Sequence, residues 1–147
     1  MSASPIASVR SALFDLIDGQ YAGYTVYENF PNEGVGPKSI TLQHVSGSES
    51  GSALGRTVST TEVGNDVRVR FQIDVYSDNH ADCESVADSI LQRILANKVR
   101  LKKDRGIEDV VPIVITDVGS STPGERIYRK LIDLEVYTYR IMTRPAD

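Results

Sequence analysis

Residues 66–101 read DVRVRFQIDVYSDNHADCESVADSILQRILANKVRL, and this stretch decides the fold. Its first half alternates apolar with polar residues, which is the period-2 pattern of a strand with one buried face. Apolar residues then recur at helical spacing from Cys83 to Leu95, which predicts an amphipathic helix. A long strand that leads directly into such a helix predicts a sheet with a helix packed across one face.

The rest of the chain supplies the other elements of this sheet. Ser4 and Pro5 form a helix start, and Gly19 is a stop signal. Runs of alternating or β-branched residues predict four further strands: 24–30, 39–45, 113–118 and 128–139. The order is therefore α-β-β-β-α-β-β, in which hairpins join neighbouring strands. We predict an α+β fold with a mainly antiparallel sheet of about five strands and two helices on one face, with residues 1–147 forming a single domain.

Two polar connections interrupt this pattern. Residues 46–65, between the second and third strands, contain five serines, four glycines and three threonines, too few large apolar groups for a core of their own. We expect a flexible arm or loop there, part of which could extend as a hairpin once something supports it. Residues 98–109 are basic and then acidic, and for them a solvated loop is favoured over a contact with another subunit.

Composition narrows the class of protein. The chain has 147 residues and a formal net charge of −4, which argues against a broad basic surface for nucleic acid. The single cysteine, Cys83, excludes an internal disulfide and fits a reducing compartment. The N-terminus shows no signal-peptide pattern, and no apolar run approaches the length of a membrane span. These features predict a soluble cytoplasmic protein without membrane association.

A search for catalytic chemistry gives no convincing motif. His80 and Glu84 have the spacing of two ligands on one helix face, but a metal site needs three or four donors. The acidic residues around this helix start do not match a calcium loop, and a structural role at the helix N-terminus is favoured for them. We therefore predict no catalytic residue, no metal site, no cofactor and no enzymatic activity.

One set of polar residues invites a functional interpretation. They lie at alternate positions of the third and last strands, on the face opposite the apolar residues: Arg68, Arg70, Asp74, Arg129, Asp133, Glu135 and Tyr137. If the two strands are neighbours, these side chains form cross-strand ion pairs worth about 0.2–1 kcal/mol each. Alternatively, the same face packs against another subunit, for which arginine and aromatic side chains are suited. Both interpretations stay open at this point.

The run RVRFQIDVYS at 68–77, followed by the helix ADSILQRIL at 87–95, resembles the tail completion and tail terminator proteins of long-tailed bacteriophages. The end of the chain is also similar, with a strand, the Gly-containing turn PGER at 123–126, and the final strand YRKLIDLEV at 128–136. The similarity extends from Thr25 to Arg140 and consists of patterns of residue type.

This resemblance implies a structural protein of a virion. Such proteins form a ring, commonly of six identical subunits, that caps the tail tube, stops its growth and joins the tail to the neck below the head. The implied partners are further copies of the chain, the tail tube protein and a head-completion or neck protein, while DNA passes through without specific binding. The resemblance further implies assembly in the host cytoplasm, a place in the tail or neck of the virion, and no catalytic residues. Residues 46–65 would then form an assembly arm, with these candidate contact residues: Glu49, Leu54, Arg56, Val58 and Glu62.

Two alternatives accompany this interpretation. Within virion assembly, the chain could be another neck or head-completion component, or a subunit related to the tail tube. From a different class, it could be a small nucleic-acid-binding or ligand-binding module that uses the open sheet face, with Tyr76, Tyr137 and Tyr139 as stacking residues.

Overall fold

A computed structural model of the chain describes residues 4–28, 36–50, 56–57, 62–118 and 127–143. The elements in chain order are α1 (Pro5–Ile17), β1 (Thr25–Tyr27), β2 (Ser39–Ser50), β3 (Arg56–Thr57), β4 (Glu62–Ser77), α2 (His80–Ala96), α3 (Lys98–Arg105), β5 (Asp109–Val118) and β6 (Tyr128–Thr143). The predicted α+β class with a mainly antiparallel sheet is confirmed. The described part contains three helices where the sequence predicted two.

The long strands β4 and β6 form the centre of the sheet. They pair antiparallel over their whole length, from Glu62 opposite Thr143 to Ser77 opposite Tyr128. The strand order is β1-β2-β4-β6-β5, and the two-residue β3 pairs with the start of β4. β1 runs parallel to β2, so the expectation of a hairpin between these two strands is wrong. Residues 28–38 separate the two strands, a connection far longer than the two-residue turn of a tight hairpin.

All three helices pack on one face of the sheet, where the apolar side chains of β4 lie. Leu13 of α1, Ile90 of α2 and Phe71 of β4 are each fully buried in this core. The Ser4 hydroxyl caps α1 by accepting from the Ala7 amide at 3.4 Å, and Asn79 caps α2 by accepting from the Asp82 amide at 3.0 Å. The amphipathic pattern of the sequence is thus realised as one buried layer between helices and sheet.

The charged connector at 98–109 is largely helical, which corrects the prediction of a loop. α3 spans Lys98–Arg105 and ends at Gly106, whose φ of 68° is readily adopted only by glycine. It is anchored because Leu101 and the following Ile107 are buried in the core. One buried residue in two turns gives too weak a period for a sequence to indicate a helix. The next strand, β5, also begins earlier than predicted, at Asp109 rather than Ile113.

The predicted arm at 46–65 is strand at both ends, whereas residues 51–55 and 58–61 lie outside the described part of the chain. Ser46–Ser50 continue β2 along β4, and β3 then pairs with Gly64 and Val63 of β4. β6 supports the other side of β4 throughout, so the arm is the outer end of a ribbon built from β2, β3, β4 and β6. Of the candidate arm residues, Glu49 lies in β2, Arg56 in β3 and Glu62 at the start of β4, whereas Leu54 and Val58 lie outside the described residues.

The first predicted strand, over 24–30, is shorter in the structure. β1 covers only Thr25–Tyr27, and residues 29–35 lie outside the described part. Of the helices that the structure describes, none has the length and apolar character needed to cross a membrane.

Candidate assembly surface

The face of the sheet opposite the helices carries all seven residues of the predicted polar set, which we call the polar face. The β4–β6 register places Arg68 opposite Tyr137, Arg70 opposite Glu135 and Tyr76 opposite Arg129. Asp74 and Asp133 follow on the same face because side chains alternate along a strand. The structure therefore brings together residues separated by about sixty positions in the chain.

Three ion pairs cross between β4 and β6 on the polar face. Arg68 Nε lies 2.7 Å from Glu135 Oε1, and Arg70 Nη2 lies 2.6 Å from Asp133 Oδ2. Both pairs run diagonally, since neither carboxylate lies directly opposite the arginine that it contacts. This diagonal pattern lets the Arg68 guanidinium also lie over the Tyr137 ring, 5.2 Å from its centroid.

The third ion pair involves the most deeply buried charge of the polar face. Asp74 is fully buried although it lies on the face opposite the three helices that the structure describes. Arg129 Nη2 donates to Asp74 Oδ2 at 3.2 Å, and the Gln72 side chain donates to the same oxygen at 2.9 Å. The Arg129 guanidinium also lies 5.6 Å from the centroid of the Tyr76 ring. Asp74 is thus compensated by two donors, as a buried carboxylate requires.

The carboxylates and arginines of the polar face lie at different depths. The Asp133 side chain is 12% exposed, whereas its partner Arg70 is 42% exposed. The Asp133 carboxylate raises the pKa of Arg70 through this hydrogen bond. Because a guanidinium carries five N–H donors, each arginine that is held by one carboxylate still presents donors to the outside. The polar face is therefore a set of ordered arginines above buried acids, which can bind an acidic or carbonyl-rich surface.

At the outer end of the ribbon, Glu49 is held by two strands. The Asn65 side chain donates to Glu49 Oε2 at 2.9 Å, and Arg140 Nε lies 3.1 Å from both carboxylate oxygens. The hydrogen bond from Asn65, followed by that from Arg140, lowers the pKa of Glu49. Glu49 therefore ties β2 to β4 and β6, so within this structure its carboxylate stabilises the ribbon itself.

The structure also assembles a cluster that sequence spacing only partly indicated. His80, Glu84 and Asp117 each offer a ligand atom, and these atoms lie within 4.8 Å of one another. Lys130 Nζ lies 3.2 Å from Asp117 and 3.9 Å from Glu84, so an ammonium already neutralises these acids. Asp117 could not be identified from the sequence, because only the pairing of β5 with β6 brings it opposite Lys130. A divalent ion would have to displace this lysine, so the cluster is best described as an ion-pair network.

The single cysteine is structural. Cys83 is buried, and its Sγ lies 3.3 Å from the Val75 carbonyl oxygen and 3.7 Å from that of Tyr128. Burial raises the pKa of the Cys83 thiol, which disfavours the reactive thiolate.

A groove of about 310 Å³ lies between α1 and the α2–α3 region, and charged side chains line it. Arg105 forms an ion pair with Asp15, and Arg100 lies 3.7 Å from Asp104. Arg93 Nε donates to the carbonyl oxygen of Leu16 at 2.6 Å, near the C-terminus of α1. The Arg105–Asp15 pair joins α3 to α1, and the Arg93 hydrogen bond joins α2 to α1. The charged groups that line the groove therefore hold the helices together.

Comparison with protein-family models and with curated proteins gives no match to this chain. The resemblance to phage tail proteins therefore continues to rest on the sequence patterns alone, and the role of the polar face as a subunit interface stays a prediction.

Proposed function

We propose that this chain is a structural protein of a phage virion, a tail terminator that forms a ring on the tail tube and joins the tail to the neck. The observation that carries the proposal is the polar face, together with the paired ends of β4 and β6 that extend past Arg68 and Tyr137. Glu62–Asp66 of β4 extend past Val67, which is the first residue of the core cluster among the β4 side chains that the structure describes. At about 3.4 Å per residue this extension measures about 17 Å, a length suited to contact with a neighbouring subunit.

The proposed mechanism is binding and not catalysis. Each copy presents the same preordered arginines and the same ribbon, and a closed ring repeats every contact with its symmetry. Preordered side chains lose little conformational entropy on association. More of the free energy of each weak contact therefore contributes to assembly of the ring. A ring of identical subunits matches the symmetry of a tube end, which stops addition of further tube subunits sterically.

The alternative of a nucleic-acid-binding module receives less support from the same face. All three arginines of the polar face contact carboxylates, which reduces the positive charge available to phosphates. Tyr76 is only 8% exposed, and the Tyr137 ring lies beneath Arg68. Rings in these two positions are poorly placed to stack on bases, which leaves Tyr139, at 38% exposure, as the one open ring of the three candidates.

The test is assembly in solution and on tail tubes. Light scattering across concentration and salt gives the mass, and negative-stain images of the same fractions reveal any ring with a central hole. Purified tail tubes of the phage are then mixed with the chain, and labelled protein is localised by microscopy. Binding at one end of the tube, together with an end to further tube growth, supports the proposal of a tail terminator. Binding only to head or neck particles would favour the head-completion alternative, and absence of both rings and tube binding would refute the proposal.

A shortened-ribbon variant tests the arm in the same assay. Ser50 lies opposite Asp66, so an Asn-Gly turn can join them in place of residues 51–65. We expect this variant to keep its core and to lose ring formation or tube binding by at least tenfold. Its thermal melt is the control, since unfolding would show that the ribbon belongs to the core. Unchanged assembly in a folded variant would exclude the arm as a contact.

A further inference from the structure

β5 is an edge strand with an apolar surface. It pairs with β6 on one side, and none of the strands that the structure describes pairs with its other side. Four of its apolar residues are between 38% and 48% exposed: Val111, Ile113, Val114 and Ile115. An exposed apolar edge of this kind is a template for pairing with another chain. Pro112 and the irregular register around Ile113 divide this edge into two short segments, which limits unspecific pairing.

β2 forms a second edge at the opposite side of the sheet. β1 pairs only with Ser39–Thr41, so within the described residues the outer side of β2 has no partner strand from Leu42 to Ser50. This edge is mainly polar, but Val45 is 49% exposed at an irregularity in the register between His44 and Ser46. Each edge therefore carries a bulge with an exposed apolar residue near its middle.

The directions and lengths of the two edges are compatible. From β2 to β5 the sheet contains three successive antiparallel pairings, so β5 runs opposite to β2. A second copy placed alongside in the same orientation would offer its β2 antiparallel to β5, with the helices of both copies on the same side. The free segment of β2 has nine residues, 42–50, and β5 has ten. Full overlap brings Val45 of the second copy opposite Val114 or Ile115, one or two residues along β5 from Ile113.

We propose that β5 of one copy pairs with the free segment of β2 of a second copy, so that the sheets join head to tail. This inference rests on the proposed function and names the contact that would close the ring. Four partly exposed side chains on one edge can bury much less surface than the roughly 800 Å² per partner of a standard interface. Head-to-tail pairing gives every copy two such contacts and lets a ring close, whereas a two-fold β5–β5 contact would give each copy only one.

The first experiment places a charge at each edge. We expect Ile113→Lys and Val45→Lys each to raise the concentration needed for half-assembly at least tenfold, as measured by light scattering. Val99→Lys is the matched control, because Val99 is 81% exposed on α3 and belongs to neither strand. Melts of all three variants exclude unfolding as the cause. Equal assembly of the control and the two edge variants would overturn the proposal.

Cysteine cross-linking decides which edges meet. The double variant Val45→Cys/Ile113→Cys is treated with a short bis-maleimide, with wild type as control for the buried Cys83. A ladder of oligomers from the double variant, with monomers from each single variant, supports head-to-tail pairing. Cross-linked dimers from Ile113→Cys alone would instead establish a β5–β5 contact and overturn it. If the double variant forms rings in the images but no cross-links, the β5–β2 contact is refuted and the proposed function stands. If the chain neither assembles nor binds tail tubes, both proposals are refuted.

Discussion

Replacement of Phe71 by alanine tests whether the alternation of β4 builds the core. Phe71 is fully buried in the middle of β4, opposite His44 of β2 and Leu134 of β6. The His44 ring lies 5.6 Å from it, centroid to centroid. Phe71 is therefore enclosed by strands on two sides and by the helix layer above, which leaves little freedom for neighbouring groups to fill the space.

The expected loss of stability has two parts. Burial of a phenylalanine side chain contributes about 1.5–3 kcal/mol, and the cavity adds about 24 cal/mol for each Å³ that does not collapse. Since paired strands hold the neighbours in place, we expect little collapse and a total loss of about 3–5 kcal/mol in the free energy of unfolding. For a chain of this size, that corresponds to a fall in Tm of roughly 6–20 °C.

The assay is urea unfolding followed by circular dichroism, with a thermal melt as a second measurement. Val99→Ala is the control, because this exposed position on α3 should change stability by no more than about 0.5 kcal/mol. If Phe71→Ala unfolds within about 0.5 kcal/mol of wild type, the packing argument for β4 is wrong.

Two further predictions concern the polar face and the ribbon. Arg70→Glu should lower the free energy of unfolding, because it places a second carboxylate beside the buried Asp133. The Arg70→Glu/Asp133→Arg double variant should regain most of that loss in urea unfolding, and equal stability of the two variants would contradict the pairing. Glu49 has a lowered pKa in the folded chain, so its stabilisation of the ribbon is present above the ordinary carboxyl pKa of 4.5 and is lost as the pH falls through the lower folded value. The hydrogen-exchange protection factors of residues 62–66, which are corrected for the pH dependence of the intrinsic exchange rate, should therefore fall on acidification more in wild type than in Glu49→Gln. A parallel response of the two proteins would refute this linkage.

Much of the fold follows from local pattern alone. The alternation around Phe71 and the helical spacing from Cys83 specify a half-buried strand and an amphipathic helix, because each pattern buries one face only in its own geometry. The predicted helix start at Ser4 and Pro5 also agrees with the structure, since capping depends on neighbours in sequence.

Other features depend on partners that are distant in the chain. Arg70 contacts Asp133 and not the directly opposite Glu135, and Asp117 meets Lys130, because register and diagonal reach select the partner. α3 forms because Leu101 and Ile107 reach a core that other elements build, and the first residues of β4 are paired because β6 extends beside them. The sequence by itself determined which residues are buried or polar along each central element. Only the tertiary structure decided which of them meet and which strand edges stay open, because those outcomes require long-range pairing that no local pattern encodes.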